Sequence, residues 1–287
     1  MKYRCQSALK LVELEETFHF LQRSHASTVV DLAAAPGGFS QVEVEYMLRY
    51  KKETPEKDQT VLVVATDQRP IAPLPQVHTL RANYMQQEKY MALLRPILKL
   101  SLPGGPPSYR PVDGVLHDGV SVIKGQRNYS VTYAQSQMVL STLQLACKIF
   151  HKYSIPETKQ SPCGTAPLFF VTKAMQCDHL PQVQDAIRSL FQTVETHKPM
   201  HSRPESDETY IVAQGLNLSA FVKQQRSGVI HARTPYSNTK RRQNLFSLPP
   251  NRNDVDSHNT SRIIWYCLGC GATRVGCTPC PTCSGTV

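Results

Sequence analysis

Lys173 ends an apolar run, Phe169-Phe170-Val171-Thr172-Lys173. An ammonium group there is partly desolvated, and burial of such a charge is tolerated only beside carboxylates. Two carboxylates are suitably placed in the pattern. Asp118 closes Val115-Leu116-His117-Asp118-Gly119, and Glu208 opens the strand pattern at 208–214. Lys10, on the first helical pattern, completes a group of two amines and two acids. The members of such a set titrate together. Taken singly, each of the four reads first as a surface charge or a structural ion pair.

A second constellation lies at 29–40. Val29-Val30-Asp31-Leu32 is a short β-branched run ending near an acid. Ala33-Ala34-Ala35-Pro36-Gly37-Gly38 follows, and an amphipathic stretch begins at Phe39. This is a strand, a tight turn and a helix start. Glycines there let a ligand approach the backbone, and the helix N-terminus offers free N–H groups. The GxGxxG spacing of dinucleotide binders and the Lys-Ser/Thr of a P-loop are both missing. A nucleoside carrying an amino-acid tail suits the turn, and S-adenosylmethionine is such a ligand. Asp31, Ala35, Pro36, Gly37, Gly38 and Phe39 are the candidate contacts. Asp67, at the end of the next strand pattern, is placed to accept bonds from ribose hydroxyls. An ordinary strand-to-helix turn is the alternative reading.

The third constellation is a cysteine tail. Five of nine cysteines fall in the last 21 residues. Cys267-Leu268-Gly269-Cys270 and Cys280-Pro281-Thr282-Cys283 are two CxxC pairs, the spacing of a tetrahedral four-thiolate site for Zn2+. Cys277 is a fifth candidate ligand. So short a module has no core of its own, so metal would fold it. Trp265 and Tyr266 are placed to stack on a base, to cover the metal or to bind protein. Cysteine use of this kind indicates a reducing, intracellular compartment.

The elements that must position these groups alternate. Strand patterns fall at 28–32, 61–66, 76–80, 112–117, 167–172, 193–198 and 208–214, with helical patterns at 7–23, 39–50, 86–100, 130–150 and 180–191. The alternation predicts an α/β fold with a mostly parallel sheet. The last two strands have little between them, so one should run antiparallel at the end of the sheet. Polar inserts at 51–60, 102–111 and 154–167 read as surface loops. Residues 1–216 form one expected domain, 217–262 a basic, mostly disordered linker, and 263–287 the cysteine module. The net charge of +10 is uneven: 223–262 hold eight Lys/Arg against two Asp. Such a segment suits a polyanion, with salt-sensitive binding. No apolar run has membrane-spanning length, and the acidic early sequence argues against a signal or transit peptide.

Lys10, Asp118, Lys173 and Glu208, with the Ala-Pro-Gly-Gly turn, resemble the Lys-Asp-Lys-Glu tetrad and cofactor turn of the FtsJ/RrmJ RNA ribose 2′-O-methyltransferases. The resemblance runs over about residues 3–215. Ser7-Ala8-Leu9-Lys10-Leu11, Pro73-Leu74-Pro75-Gln76-Val77 and the block from Lys198-Pro199 through Ser202-Arg203 to Glu208 all carry it. Leu116-His117-Asp118-Gly119 and Tyr133-Ala134-Gln135-Ser136-Gln137 look most like the eukaryotic nucleolar pre-rRNA branch. The resemblance implies a Rossmann-like S-adenosylmethionine-dependent methyltransferase fold, with a seven-stranded sheet and helices on both faces. It implies a monomer that methylates RNA ribose, rRNA first and tRNA second, in contact with pre-ribosomal particles. The nucleus or nucleolus is the expected compartment, with cytoplasm and organelle left open, and no membrane partner. Lys173 would be the base or hydroxyl-orienting group, and Asp118 would hold the lysine and the ribose. Two departures stand out. Asn83 replaces an Asp expected to bond the adenine, and Val120-Ser121-Val122 replaces Ala-Pro-Asn. They keep a second reading open: a weakly active or inactive methyltransferase fold serving as an RNA-binding ribosome-assembly factor. A nicotinamide oxidoreductase is disfavoured by the glycine spacing.

Overall fold

The structure is a computed structural model that describes residues 2–53, 60–100, 108–121, 128–154 and 167–227, and the backbone of 264–266 and 273–275. The helices are α1 (Ser7–Phe18), α2 (Phe20–Arg23), α3 (Gly38–Glu53), α4 (Gln87–Leu98), α5 (Asn128–Tyr153), α6 (Leu180–Arg188) and α7 (Leu218–Ser227). The strands are β1 (Thr28–Leu32), β2 (Leu62–Asp67), β3 (Val77–Arg81), β4 (Lys99–Leu100), β5 (Ser108–Tyr109), β6 (Gly114–His117), β7 (Phe169–Met175), β8 (Phe191–His197), β9 (Glu208–Leu216), β10 (Ile264–Tyr266) and β11 (Thr273–Val275).

Seven strands form one sheet in the order β3-β2-β1-β6-β7-β9-β8, while β4-β5 and β10-β11 are separate two-stranded ribbons. The β1–β2, β1–β6, β2–β3 and β6–β7 pairings are parallel, and β9 runs antiparallel to both neighbours. The antiparallel strand thus lies one position in from the edge, not at the end. A short connection turns β8 straight back into β9, and β9 inserts between β8 and β7.

The central strands are buried on both faces, which explains their near-continuous apolar runs. One face packs on α4, α5, α6 and α7 through Leu94, Leu143, Val183 and Phe221. The other packs on α1 and α3 through Leu11, Leu14, Val42 and Met47. Alternation along each strand separates the two faces. Phe170 and Ile211 point to the α5 side; Phe169, Val171, Tyr210 and Val212 point to the α1–α3 side.

Two further expectations are corrected. The helix at 7–23 breaks at His19, whose backbone is left-handed (φ 53°). Glu15 is fully buried and accepts the amides of Leu21 (2.9 Å) and Gln22 (3.2 Å), so the second helix starts on its carboxylate. The pattern at 86–100 ends as strand β4. Of the segment 217–262 the described part is 217–227, where helix α7 buries Phe221 against the α5 layer. No helix among the described residues is long and apolar enough to cross a membrane.

Candidate active site

The carboxyl ends of β1, β6 and β7 meet α1 on one side of the sheet. β1 carries Asp31 into a short turn, and α3 begins at Gly38. Gly37 has φ +102°, a conformation that side chains with a Cβ rarely adopt. A Cβ on Gly38 would collide with Cys5 Sγ, so the glycine lets the segment before α1 lie on the turn. Arg4 fastens that segment, its guanidinium donating to the carbonyls of Pro36 (3.1 Å), Ala72 (2.7 Å) and Pro73 (2.8 Å).

A cleft opens beside the turn, lined by Ser7, Asp31, Ala33–Pro36, Gly38, Phe39 and Asp118. Asp31 is wholly buried; its Oδ2 accepts from Ser40 Oγ at 2.6 Å. Its Oδ1 is buried without a hydrogen-bond partner. Burial, and then the neighbouring Asp118 and Asp67, push this carboxyl up to about 7. An orphaned acceptor on a cleft wall fits a ligand bearing a cationic donor, such as the amino group of an amino-acid tail. Asp67, at the end of β2, accepts the amides of Ala35 (3.0 Å) and Arg69 (2.8 Å). Asn83 lies two residues past β3, and its Oδ1 accepts the amide of Met85 (3.0 Å).

The four predicted amines and carboxylates converge next to this cleft. Lys173 Nζ stands 2.7 Å from Asp118 Oδ1 and 3.1 Å from Glu208 Oε2. Lys10 Nζ bonds Glu208 Oε1. Lys173 has 7% of its side chain exposed and Asp118 13%, so the charges are held mostly out of water but open at one side. Burial by itself lowers the Lys173 pKa. The Asp118 and Glu208 carboxylates outweigh it and hold the ammonium above the usual lysine range. Burial raises Glu208, but Lys173 and Lys10 bring it below the usual carboxylate range. The register explains the convergence. Lys173 pairs with Tyr210 across β7–β9, and Glu208 lies two residues from Tyr210 on the same face.

Sequence reasoning missed three supporting groups. Tyr210, fully buried, donates from its hydroxyl to Asp118 Oδ1 at 2.6 Å. Ser202 Oγ donates to Glu208 Oε1 at 2.9 Å. Glu13 on α1 accepts the amide of Met200 at 3.0 Å and contacts His197 Nε2 at 2.8 Å, pinning the loop that bears Ser202. Period-two spacing from Glu208 was a usable signal for Tyr210, and Ser202 sits inside the block that carried the resemblance. Cys267, Cys270, Cys280 and Cys283, with Cys277, lie outside the described residues.

The FtsJ-like methyltransferase family model matches residues 3–216. The chain belongs to the FtsJ-like methyltransferase family. It is 32% identical over 213 residues to the pre-rRNA 2′-O-ribose RNA methyltransferase FTSJ3 of Rattus norvegicus, covering 74% of this chain and 21% of the relative. It is 28% identical over 215 residues to the tRNA (cytidine(32)/guanosine(34)-2′-O)-methyltransferase of Schizosaccharomyces pombe, covering 75% of this chain and 66% of that one. The chain therefore spans about a fifth of the length of FTSJ3 and of similar relatives such as the Mycosarcoma maydis AdoMet-dependent rRNA methyltransferase SPB1, of which it covers 20%. A crystal structure described as a ribosomal RNA methyltransferase from Plasmodium falciparum shares the fold, with TM-score 0.52 at 18% identity, over 75% of this chain and 98% of that one. Within the FtsJ-like domain, β1 to β9 and α1 to α6 fall inside the matched residues, and α7 lies beyond them.

Proposed function

We propose that this FtsJ-like domain transfers a methyl group from S-adenosylmethionine to a ribose 2′-hydroxyl of RNA, with rRNA the favoured substrate. The observation that carries the reading is the Lys10–Glu208–Lys173–Asp118 chain of charges opening beside the Asp31 turn. Asp31, Ala35, Pro36, Gly37, Gly38 and Phe39 would hold the amino-acid tail, with Asp67 serving the ribose, Asn83 the adenine side and Asp118 the cleft rim. Bound S-adenosylmethionine supplies an activated methyl and a positive charge that makes a nearby ammonium release its proton more readily.

The chain's own groups then do two things. They align the hydroxyl, a term that reaches effective molarities of ~10⁵ M or more, and they accept its proton, a term of about 10²–10⁴-fold. Lys173 is protonated in the free protein because two carboxylates favour the ammonium. As an ammonium it donates to the 2′-oxygen and fixes its direction; once its own proton has passed to solvent, the free amine accepts the hydroxyl proton as the methyl group is transferred. Asp118, held by Tyr210 and Lys173, takes part in orienting the ribose. Lys10 and Ser202 keep Glu208 ionised and in place.

The pre-rRNA names of the FTSJ3 and SPB1 relatives support an rRNA substrate, contact with pre-ribosomal particles and a nucleolar location. Residues 217–262 would form a basic connector, and 263–287 a module in which Cys267, Cys270, Cys280 and Cys283 hold one Zn2+. The β10–β11 pairing supports that module, because Cys267 and Cys270 fall in sequence between its two strands.

The test is transfer of labelled methyl from S-adenosylmethionine to rRNA fragments by the full chain, beside Lys173→Ala. Incorporation that blocks alkaline cleavage at a single phosphodiester marks a ribose 2′-O product. Incorporation no greater than that of the variant, on rRNA and tRNA alike, overturns the enzyme reading in favour of the RNA-binding assembly factor.

A further inference from the structure

The tetrad side chains all project to the α1 side of the sheet. On the opposite side, beneath the same strand ends, lies a polar group with no part in the chemistry so far described. Gln135 of α5 is 1% exposed, and its amide makes three bonds. Nε2 donates to the carbonyl of Gly119 (3.0 Å) and to that of Lys173 (3.3 Å), and Oε1 accepts the amide of Ser121 (2.8 Å). One side chain thereby ties the backbone of Lys173 itself to the loop that leaves Asp118.

His117, immediately before Asp118, faces the same side. Its Nδ1 lies 2.9 Å from Thr172 Oγ1, its partner in the β6–β7 register, and its Nε2 lies 3.0 Å from the Tyr84 hydroxyl. A Cβ on Gly119 would collide with the His117 ring, so the loop must leave Asp118 along this path.

We infer that Gln135 is a positioning residue for methyl transfer: it sets the backbone separation of Asp118 and Lys173 and shapes the 119–121 loop from behind the sheet. The inference rests on the proposed transfer activity for its rate readout. Both the nitrogen and the oxygen of the one amide are needed, because two carbonyls accept from its Nε2 and one backbone N–H donates to its Oε1. An apolar side chain of equal length fills the space, takes this partner from the Gly119 carbonyl and the Ser121 amide, and leaves the Lys173 carbonyl with the long bond from Thr172 Oγ1 (3.3 Å). The loss then falls on alignment of the tetrad and not on the cofactor turn, which belongs to β1 and α3.

Gln135→Met keeps the length of the side chain and removes the three bonds. Gln135→Asn keeps the amide and shortens its reach by one methylene. Both should lower kcat about tenfold or more while KM and the calorimetric Kd for S-adenosylmethionine stay within about threefold. Either variant with a wild-type kcat overturns the inference, as does a purely structural pattern in which the melting temperature falls and kcat holds. If Gln135→Met lacks a cooperative melt, Gln135→Asn decides by the same criteria. Hydrogen exchange of the Ser121 amide is independent of activity. It should be slow in the wild-type chain and faster in the folded variant, whereas fast exchange in wild type overturns the inference. A wild-type chain that methylates no RNA overturns the activity instead, and the Ser121 exchange then decides on Gln135 alone.

Discussion

At the scale of single residues, Lys173 was readable because an ammonium at the end of an apolar run has to be explained by partners. The neutral hydroxyls of Tyr210 and Ser202 carry no such cost in the sequence, and their roles appear only when register and loop path are known. Lys173→Met should reduce turnover by about 10²–10⁴-fold, the range of a lost acid–base group. Steady-state kinetics beside calorimetry checks this, with cofactor affinity expected to hold, since Lys173 is absent from the cleft lining. The variant also leaves Asp118 and Glu208 with Lys10 as their remaining amine. Breaking a buried pair costs about 3–5 kcal/mol, so denaturant unfolding should show the loss. Glu208→Gln makes a sharper test of the base. Glu208 and Asp118 hold Lys173 above its ordinary pKa, so removing one carboxylate lets the proton leave more easily. The rising limb of the pH–rate profile should move to lower pH. A limb that stays where it was would identify another group as the one that titrates.

At the scale of elements, strand positions followed the sequence closely: 28–32 coincides with β1, and the other sheet strands moved by a few residues at their ends. The break between α1 and α2 was hidden because the apolar stripe continues through Phe18, Phe20 and Leu21. What interrupts the helix is a polar event, the Glu15 carboxylate capping α2. Burial pushes Glu15 up to about 7, more than its backbone bonds lower it. The sign follows directly. A carboxyl raised on folding contributes stability that is complete below its unfolded pKa and is lost as pH rises through about 7. Between pH 4.5 and 8 this amounts to about 3 kcal/mol. Glu13 and Glu208 act oppositely, since both are depressed and lose their contribution as pH falls. Glu15→Gln keeps an acceptor for one α2 amide and cannot ionise, so urea unfolding of the variant should depend less on pH across that window. The segment before α1 yields another expectation. Arg4→Ala removes three bonds that join Pro36 to the 72–73 loop, and calorimetry should show weaker S-adenosylmethionine binding with kcat at saturating cofactor retained.

At the scale of the whole molecule, alternation of strand and helix made a mostly parallel α/β sheet legible, and helices on both faces came with the family resemblance. The place of β9 was not legible. Nothing in its composition distinguishes a strand inserted between β7 and β8 from one added at the edge. The difference matters, because insertion is what brings Glu208 and Tyr210 beside Lys173. Packing also continues past residue 216, where the family match ends. Asn217 continues the fold, its amide donating to Leu190 O at 2.8 Å, and α7 places Phe221 in the core with 1% exposure. Burial of one such aromatic side chain is worth about 1.5–3 kcal/mol. A chain ending at 216 should therefore melt several degrees below one ending at 227, while the chain ending at 227 should keep cofactor binding. The two truncations also separate folding from RNA affinity. Residues 228–287 carry seven Lys/Arg against two Asp, so their removal would take away phosphate contacts along with the packing of β10 on α5. Each lost contact to single-stranded RNA lowers the slope of log K against log salt by about 0.7. RNA binding by the 1–227 chain, measured across a salt series, should lose affinity and show a shallower slope by about 2 or more, the loss of three contacts. An unchanged slope would place RNA binding on the FtsJ-like domain itself and leave the basic connector without that role.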